Sequence, residues 1–225
     1  MSWLSNGFGT WQGVVGRLIY EPAPGNASYV DLATEREFNS SGNLLSLGHV
    51  HEFAGTWIVS GFATTSTGGD FLPSSKFDLS VGHKLLADLS LVPTVGLSID
   101  HFRNGHSDQA LVTGVAWYGL PRWVLEGEVR FNRSDPGGVG GRRYAVAATW
   151  GEEGKNYVAA RGETGNEAYQ VIGNGAALVN FDSQLIGLSW RHWLRADRGF
   201  VTGGEVYHNP DYHRVGVSVA GFLQF

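Results

Sequence analysis

The stretch GHVHEF places two histidines where they could share a metal ion. His49 and His51 are two residues apart and lie on the same side of an extended segment. Protein zinc sites use three or four ligands, and no third ligand is evident nearby in the sequence. The pair is therefore more typical of a polar strand surface, and we predict neither a metal site nor a bound cofactor.

A second group of reactive residue types lies in SIDHFRNGH and just beyond it. Asp100, His101 and His106 are close in sequence, and Ser98 or Ser107 would complete the components of a hydrolase triad. Adjacent strand residues point to opposite faces, so Asp100 and His101 cannot pair directly as orienter and base. The group is more typical of a polar rim than of an active site.

A third candidate is Asp70, in GGD at 68–70. Its setting favours a loop turn in which glycine supplies positive φ. We therefore assign no catalytic residue. The candidates that a rim active site would use are Asp70, Asp100, His101 and His106.

The composition limits the classes of function. The 225 residues contain 33 glycines and eight tryptophans but no cysteine, which excludes disulfides and a cysteine nucleophile. The formal net charge of −5 argues against nucleic acid as a partner. Abundant glycine and aromatic residues, with no helical hydrophobic stripe, predict an all-β chain.

Hydrophobic alternation with a period of two recurs along the chain. WVLEGEVRFN at 123–132, KFDLSVGHKL at 76–85 and RRYAVAATW at 142–150 each show it. These segments run about ten residues, the length of a tilted strand that crosses a bilayer. Short and long connections alternate, the longest over 163–183, as in outer-membrane barrels. The sequence predicts one domain over 1–225: a closed antiparallel up-and-down transmembrane β-barrel of about 12–14 strands, with short periplasmic turns and longer extracellular loops.

The two faces of these strands have different compositions. One face carries charges in mid-strand, which predicts a polar lumen, and the other ends in aromatic residues, as an interfacial girdle does. The predicted lumen residues are Arg17, Asp31, Glu35, Asp78, Glu126, Glu128, Arg130, Arg143, Arg161, Arg191 and Glu205. The predicted membrane-facing residues are Tyr20, Trp123, Trp150, Trp190, Leu223 and Phe225, and the terminal Phe225 is the feature that bacterial barrels present to their assembly machinery.

The start of the chain predicts a short or truncated first strand. MSWLSNG reads as the end of the strand that closes the barrel, and the first residues lack the basic and apolar segments of a secretory signal. We expect a mature or truncated form of an outer-membrane protein.

Several stretches resemble the YaiO family of outer-membrane β-barrels. They are LSNGFGTW at 4–11, FLPSSKFDLSVGHKL at 71–85, WYGLPRW at 117–123, RRYAVAATWGEEG at 142–154, GLSWRHWLRADRGFVTGGEVY at 187–207 and the terminal VSVAGFLQF. The resemblance implies location in the outer membrane of a Gram-negative bacterium, in contact with outer-membrane lipid. It also implies a context of polysaccharide synthesis and periplasmic tetratricopeptide-repeat components, and it supplies no catalytic residue.

Four interpretations of the chain follow from these patterns. The leading hypothesis is a non-enzymatic barrel that assists export or surface anchoring of a polysaccharide through or beside its polar lumen. The alternatives are a lipid- or sugar-modifying enzyme with a rim active site, and a structural or adhesion barrel that acts through its loops. A soluble β-sandwich is the fourth.

Overall fold

The alternating segments fold into one sheet that closes on itself. The computed structural model describes residues 1–173 and 176–225. The described residues form fourteen strands that pair antiparallel in chain order, and the first closes the ring by pairing with the last. The strands are β1 (Ser2–Leu4), β2 (Thr10–Ala23), β3 (Asn26–Glu37), β4 (Ser40–Phe53), β5 (Trp57–Gly68), β6 (Ser75–His83), β7 (Leu91–His101), β8 (Ser107–Trp117), β9 (Trp123–Asp135), β10 (Val139–Glu152), β11 (Asn156–Gly173), β12 (Ala176–Arg195), β13 (Arg198–His208) and β14 (His213–Leu223).

This architecture confirms the predicted up-and-down barrel and its strand number. The soluble β-sandwich is wrong, because a single sheet closes instead of two sheets packing face to face. In the part of the chain that the structure describes, no helix is long and apolar enough to cross a membrane.

The closing strand β1 is the shortest. It pairs with Arg214–Gly216 of β14 on one side and with Thr10 and Trp11 of β2 on the other. The amino group of Met1 also donates a hydrogen bond to the carbonyl of Val217 at 2.9 Å. The pairing between β2 and β14 through β1 is thus confined to one end of the barrel.

The described parts of the long connection expected over 163–183 belong to strands, and residues 174 and 175 lie outside the described residues. β11 and β12 pair continuously from Asn156 and His192 to Glu167 and Phe181, and pairing resumes beyond a one-residue gap. The expectation of a loop was wrong for the described residues because polar residues such as Glu167 and Asp182 were read as loop, although they lie within β11 and β12. The other connections span two to seven residues at both ends of the barrel.

Cross-strand pairing shows which residues share a face of the wall. Directly paired residues project to the same side of a sheet, so a chain of partners can be followed round the barrel. One such chain is Lys76, Asp100, Asp108 and Ser134 on β6 to β9. This polar face turns inward, and the alternate residues form an apolar outer surface on which Val219 is 81% exposed.

Two aromatic rings pack against a glycine on the inner face of the wall. Gly48 pairs with Phe62 on one side and Tyr29 on the other, and those two rings are 5.7 Å apart. A Cβ atom at Gly48 would lie 2.1 Å from the Phe62 ring. The absence of a side chain at this position therefore lets the ring lie flat against the wall.

We expect Gly48→Val to destabilise the barrel by about 1–3 kcal/mol, the usual cost of forcing extra carbon atoms into packed space. The matched control is Gly16→Val on the outer face, where an added Cβ meets nothing within 4 Å. Urea unfolding of the two variants in lipid vesicles measures the difference. Equal unfolding midpoints would contradict the packing account.

Candidate functional site

The eleven predicted lumen residues share the inner face of the barrel. Arg17 pairs with Asp31 across β2 and β3, and the same inward parity continues through every strand pair to Glu205 of β13. The remaining nine are Glu35, Asp78, Glu126, Glu128, Arg130, Arg143, Arg161, Arg191 and, at the end of the series, Glu205 itself.

The predicted girdle residues lie on the opposite face. Tyr20, Trp123, Trp150 and Trp190 are each more than two-fifths exposed, and Leu223 is 63% exposed. Phe225 follows the end of β14 and is 98% exposed. Aromatic residues therefore ring one end of the apolar outer surface.

Ion pairs connect several of the inner charges. Arg17 binds Asp31 through two hydrogen bonds of 2.7 Å, one from Nε and one from Nη2. Arg214 Nη2 lies 2.8 Å from Glu205 Oε1. Such bidentate and partly shielded pairs hold the side chains against the wall instead of across the lumen.

Two further groups each contain three inner charges. One group is a lysine with two carboxylates, and the other is a glutamate with two arginines. Lys76 Nζ lies 3.5 Å from a carboxylate oxygen of both Asp78 and Asp100. The carboxylate of Glu163, whose side chain is 9% exposed, pairs with both Arg143 and Arg161. The sequence interpretation missed Glu163 because it was assigned to the long loop.

Other inner charges have no ion pair among the described residues. Glu126 and Glu128 are exposed to the lumen, and Arg130 donates only to Asn132 Oδ1, at 3.1 Å. Arg191 lies over the rings of Trp193 and Phe222, at 4.5 and 4.0 Å from their centroids. Both signs of charge are thus available to a molecule inside the barrel.

The paired charges do not fill the barrel. A cavity of about 470 Å³ borders Glu126, Arg161 and Glu205, and one of about 370 Å³ borders Lys76 and Arg130. The sequence left open whether the inner charges plug the barrel or line a space. The described structure has both wall-bound ion pairs and polar space between them.

The candidate triad residues do not form a triad. The ring of His106 and the hydroxyl of Ser134 both bind Oδ1 of Asp108. The distance from His106 Nε2 to this oxygen is 2.8 Å. Ser98 donates to Asp100 at 3.3 Å. A nucleophilic serine must bind the histidine rather than the carboxylate, so this arrangement lacks an activated nucleophile.

The other candidates lie apart from this group. His101 is exposed and lies on the face opposite Asp100, as strand alternation predicts. His49 and His51 stack at 6.2 Å on the outer face, and His49 Nδ1 contacts Ser28 Oγ at 3.0 Å. Asp70 lies in the connection between β5 and β6. Within the described ranges, no three His, Asp or Glu side chains group as metal ligands.

The ends of β11 and β12 that lie beyond the wall extend across one mouth of the barrel. We call residues 167–173 and 176–183 the mouth hairpin. On one side the ring of Tyr169 stacks on His106, which follows β7, with centroids 3.8 Å apart. On the other side Gln170 Nε2 donates to Tyr212 Oη, which precedes β14, at 2.8 Å. The hairpin thus contacts two segments that are well separated round the ring.

An aromatic cluster supports the second contact. Trp11, Phe38, Tyr207 and Tyr212 are buried together, and Ile172 and Leu178 of the mouth hairpin are among the residues packed against them. Burial raises the pKa of Tyr212 to about 12, so its phenol is neutral at physiological pH. The cluster thus gives the mouth hairpin an apolar contact with the segment that precedes β14.

The sequence matches the model of the YaiO membrane beta barrel domain over residues 1–170. The chain belongs to the YaiO family. The match ends within the mouth hairpin, so β12 to β14 lie beyond it. Among curated proteins, no sequence matches this chain.

Solved outer-membrane barrels share the fold. The structure of a bacterial polysaccharide outer membrane secretin is 9% identical, with a TM-score of 0.58 over 96% of this chain and 80% of that one. The Acinetobacter baumannii outer membrane protein Omp33 is 12% identical, with a TM-score of 0.58 over 99% and 94%. The KdgM porin, solved in complex with disordered oligogalacturonate, is 11% identical, with a TM-score of 0.52 over 88% and 99%.

Family membership and fold locate the YaiO-family chain in the outer membrane of a Gram-negative bacterium. Its apolar outer face contacts lipid, because a membrane barrel turns its apolar residues outward. Extracellular connections of such barrels protrude farther than periplasmic ones. The mouth hairpin therefore marks the extracellular mouth.

Proposed function

We propose that the lumen passes or anchors saccharide chains, so that the barrel assists export or surface display of a polysaccharide. The observation that carries this proposal is an inner wall of mixed charge beside cavities that are lined in part by charged side chains. Closely spaced hydroxyl groups need many donors and acceptors, and the wall offers both carboxylates and guanidinium groups. Arg130 and Glu128 lie two residues apart and supply one of each.

The balance of charges sets the expected substrate. A wall with both signs favours neutral or mixed-charge chains over strongly acidic ones, which would be attracted by an excess of cations. The polysaccharide context that the YaiO resemblance implies supports the same class. The polysaccharide outer membrane secretin and the KdgM porin, which was solved with oligogalacturonate, share the fold.

Planar-bilayer recording tests this function. We expect the detergent-folded protein to show channel openings that neutral oligosaccharides block in a concentration-dependent manner. Replacing both Glu126 and Glu128 by glutamine should weaken the block at least several-fold, because these exposed carboxylates are free to accept sugar hydroxyls. Arg142→Gln is the control, since Arg142 lies over Phe131 on the outer face. Openings that no oligosaccharide blocks would contradict the proposal.

The partners of the barrel are part of the same proposal. The barrel-assembly machinery would recognise the exposed Phe225, which follows the end of β14. Periplasmic tetratricopeptide-repeat components would deliver the polysaccharide to the barrel. Phe225→Ala should lower the amount of folded barrel in outer-membrane fractions. An unchanged amount of folded protein would remove that role from Phe225.

A further inference from the structure

We propose that the mouth hairpin is a gate that rests closed over the extracellular mouth and swings outward as a unit. This inference rests on the proposed passage through the lumen and states how that passage is regulated. Three features support it. The hairpin has no backbone pairing with neighbouring strands, its own pairing is irregular near its base, and its side chains contact both sides of the mouth.

Backbone pairing does not hold the mouth hairpin to the wall. The last pair between β10 and β11 is Arg142 with Asn166, and the last pair between β12 and β13 is Gln184 with His208. Beyond these positions β11 and β12 pair only with each other within the described residues. The hairpin can therefore leave the mouth without breaking a backbone hydrogen bond of the barrel wall.

The base of the hairpin carries backbone irregularities suited to a hinge. Asn180 of β12 has a φ of +55°, and pairing between β11 and β12 skips the step between Glu167–Phe181 and Tyr169–Val179. Hinges are usually a few residues that absorb changes in φ and ψ.

The closed position depends on side-chain contacts at three places. Near the base of the hairpin, Tyr207 Oη of β13 donates a hydrogen bond to Glu167 Oε1 at 3.0 Å. Tyr169 stacks on the ring of His106, which Asp108 holds in place. Gln170 donates to Tyr212, beside the apolar contacts of the hairpin with the aromatic cluster. Contacts of this kind are individually weak, so a closed state that they maintain can be reversed.

Cross-linking tests closure directly. The chain has no cysteine, so Gln170→Cys combined with Tyr212→Cys introduces a single pair. A flexible, reducible bis-thiosulfonate reagent should abolish at least nine-tenths of the potassium chloride current, and a reductant should restore it. The matched control is His208→Cys with His213→Cys, a cross-strand pair within the wall, whose cross-link should leave the current unchanged.

Shortening the hairpin tests the open state. Residues 168–180 are replaced by Asn-Gly, which joins the cross-strand partners Glu167 and Phe181 through a two-residue turn. We expect the mean current to rise at least tenfold. A second variant, Tyr169→Ala with Gln170→Ala, keeps the chain length and should raise the fraction of time open. Heat-dependent gel mobility verifies that each variant is folded.

The outcomes separate the gate from the proposed function. A cross-linked Gln170–Tyr212 pair that still conducts, or folded variants with unaltered current, would overturn the gate. A current that follows these changes while no oligosaccharide blocks any form would support the gate and contradict saccharide passage. If oligosaccharides block the current but the hairpin changes have no effect, saccharide passage would be supported and the gate would be contradicted.

Discussion

Leu188→Arg should destabilise the folded barrel in lipid by about 2–4 kcal/mol, the cost of arginine near the bilayer midplane on the outer face of a membrane barrel. Leu188 is 60% exposed on the apolar surface of β12, between the polar Gln184 and the end of the strand at Arg195. Urea unfolding in vesicles measures this change.

The matched control is the next residue. Ser189→Arg places the same side chain on the inner face, where Ser189 borders the cavity of about 470 Å³. There the guanidinium stays hydrated near Glu205, and we expect a change within about 0.5 kcal/mol. The outer surface would not be the lipid face if the two substitutions had equal effects, or if Ser189→Arg were the more damaging.

Period-two alternation was sufficient to predict the barrel and the two faces of its wall. In WVLEGEVRFN, Leu125 and Glu126 project to opposite sides, and a closed sheet has only two sides available. Glu126, Glu128 and Arg130 of this strand therefore had to share one face once the ring closed.

The mouth hairpin was missed although its sequence contains a signal. Asn174–Gly175, which lies outside the described residues, is the dipeptide that most strongly marks a tight hairpin turn, and it lies between Tyr169, Val171 and Val179. Length and polar residues suggested a loop instead. Its packing against Tyr212 and His106 could not be foreseen, because contacts across a mouth depend on the curvature of the whole ring.

The ion-pair pattern was predictable only in part. Charges of both signs on one face predict pairing between neighbouring strands, and Arg17 with Asp31 is such a pair. The pairs of Glu163 are different, because its two arginines lie on its own strand and on the neighbouring one. Register must be known before such a group can be assigned, since a slip of one residue would reverse every side chain.

Glu163→Gln should lower the unfolding free energy by about 1–3 kcal/mol, the usual cost of removing one partner from a shielded hydrogen-bonded charge pair. Arg143 and Arg161 would lose the carboxylate that they share. Arg143 would then lie directly across from Arg130 without the carboxylate of Glu163, which partly offsets their like-charge repulsion. Bilayer recordings should also show a shift of ion selectivity towards anions.

Glu128→Gln separates the two effects. Glu128 is exposed in the lumen and has no ion pair among the described residues, yet its substitution removes the same charge near the same arginines. We expect the selectivity to shift in the same direction and the stability to change by less than about 0.5 kcal/mol. If both variants were equally stable, the Glu163 group would only line the lumen. If neither altered selectivity, ions would not pass this part of the wall, because a charge beside a conducting path must change the potential along it.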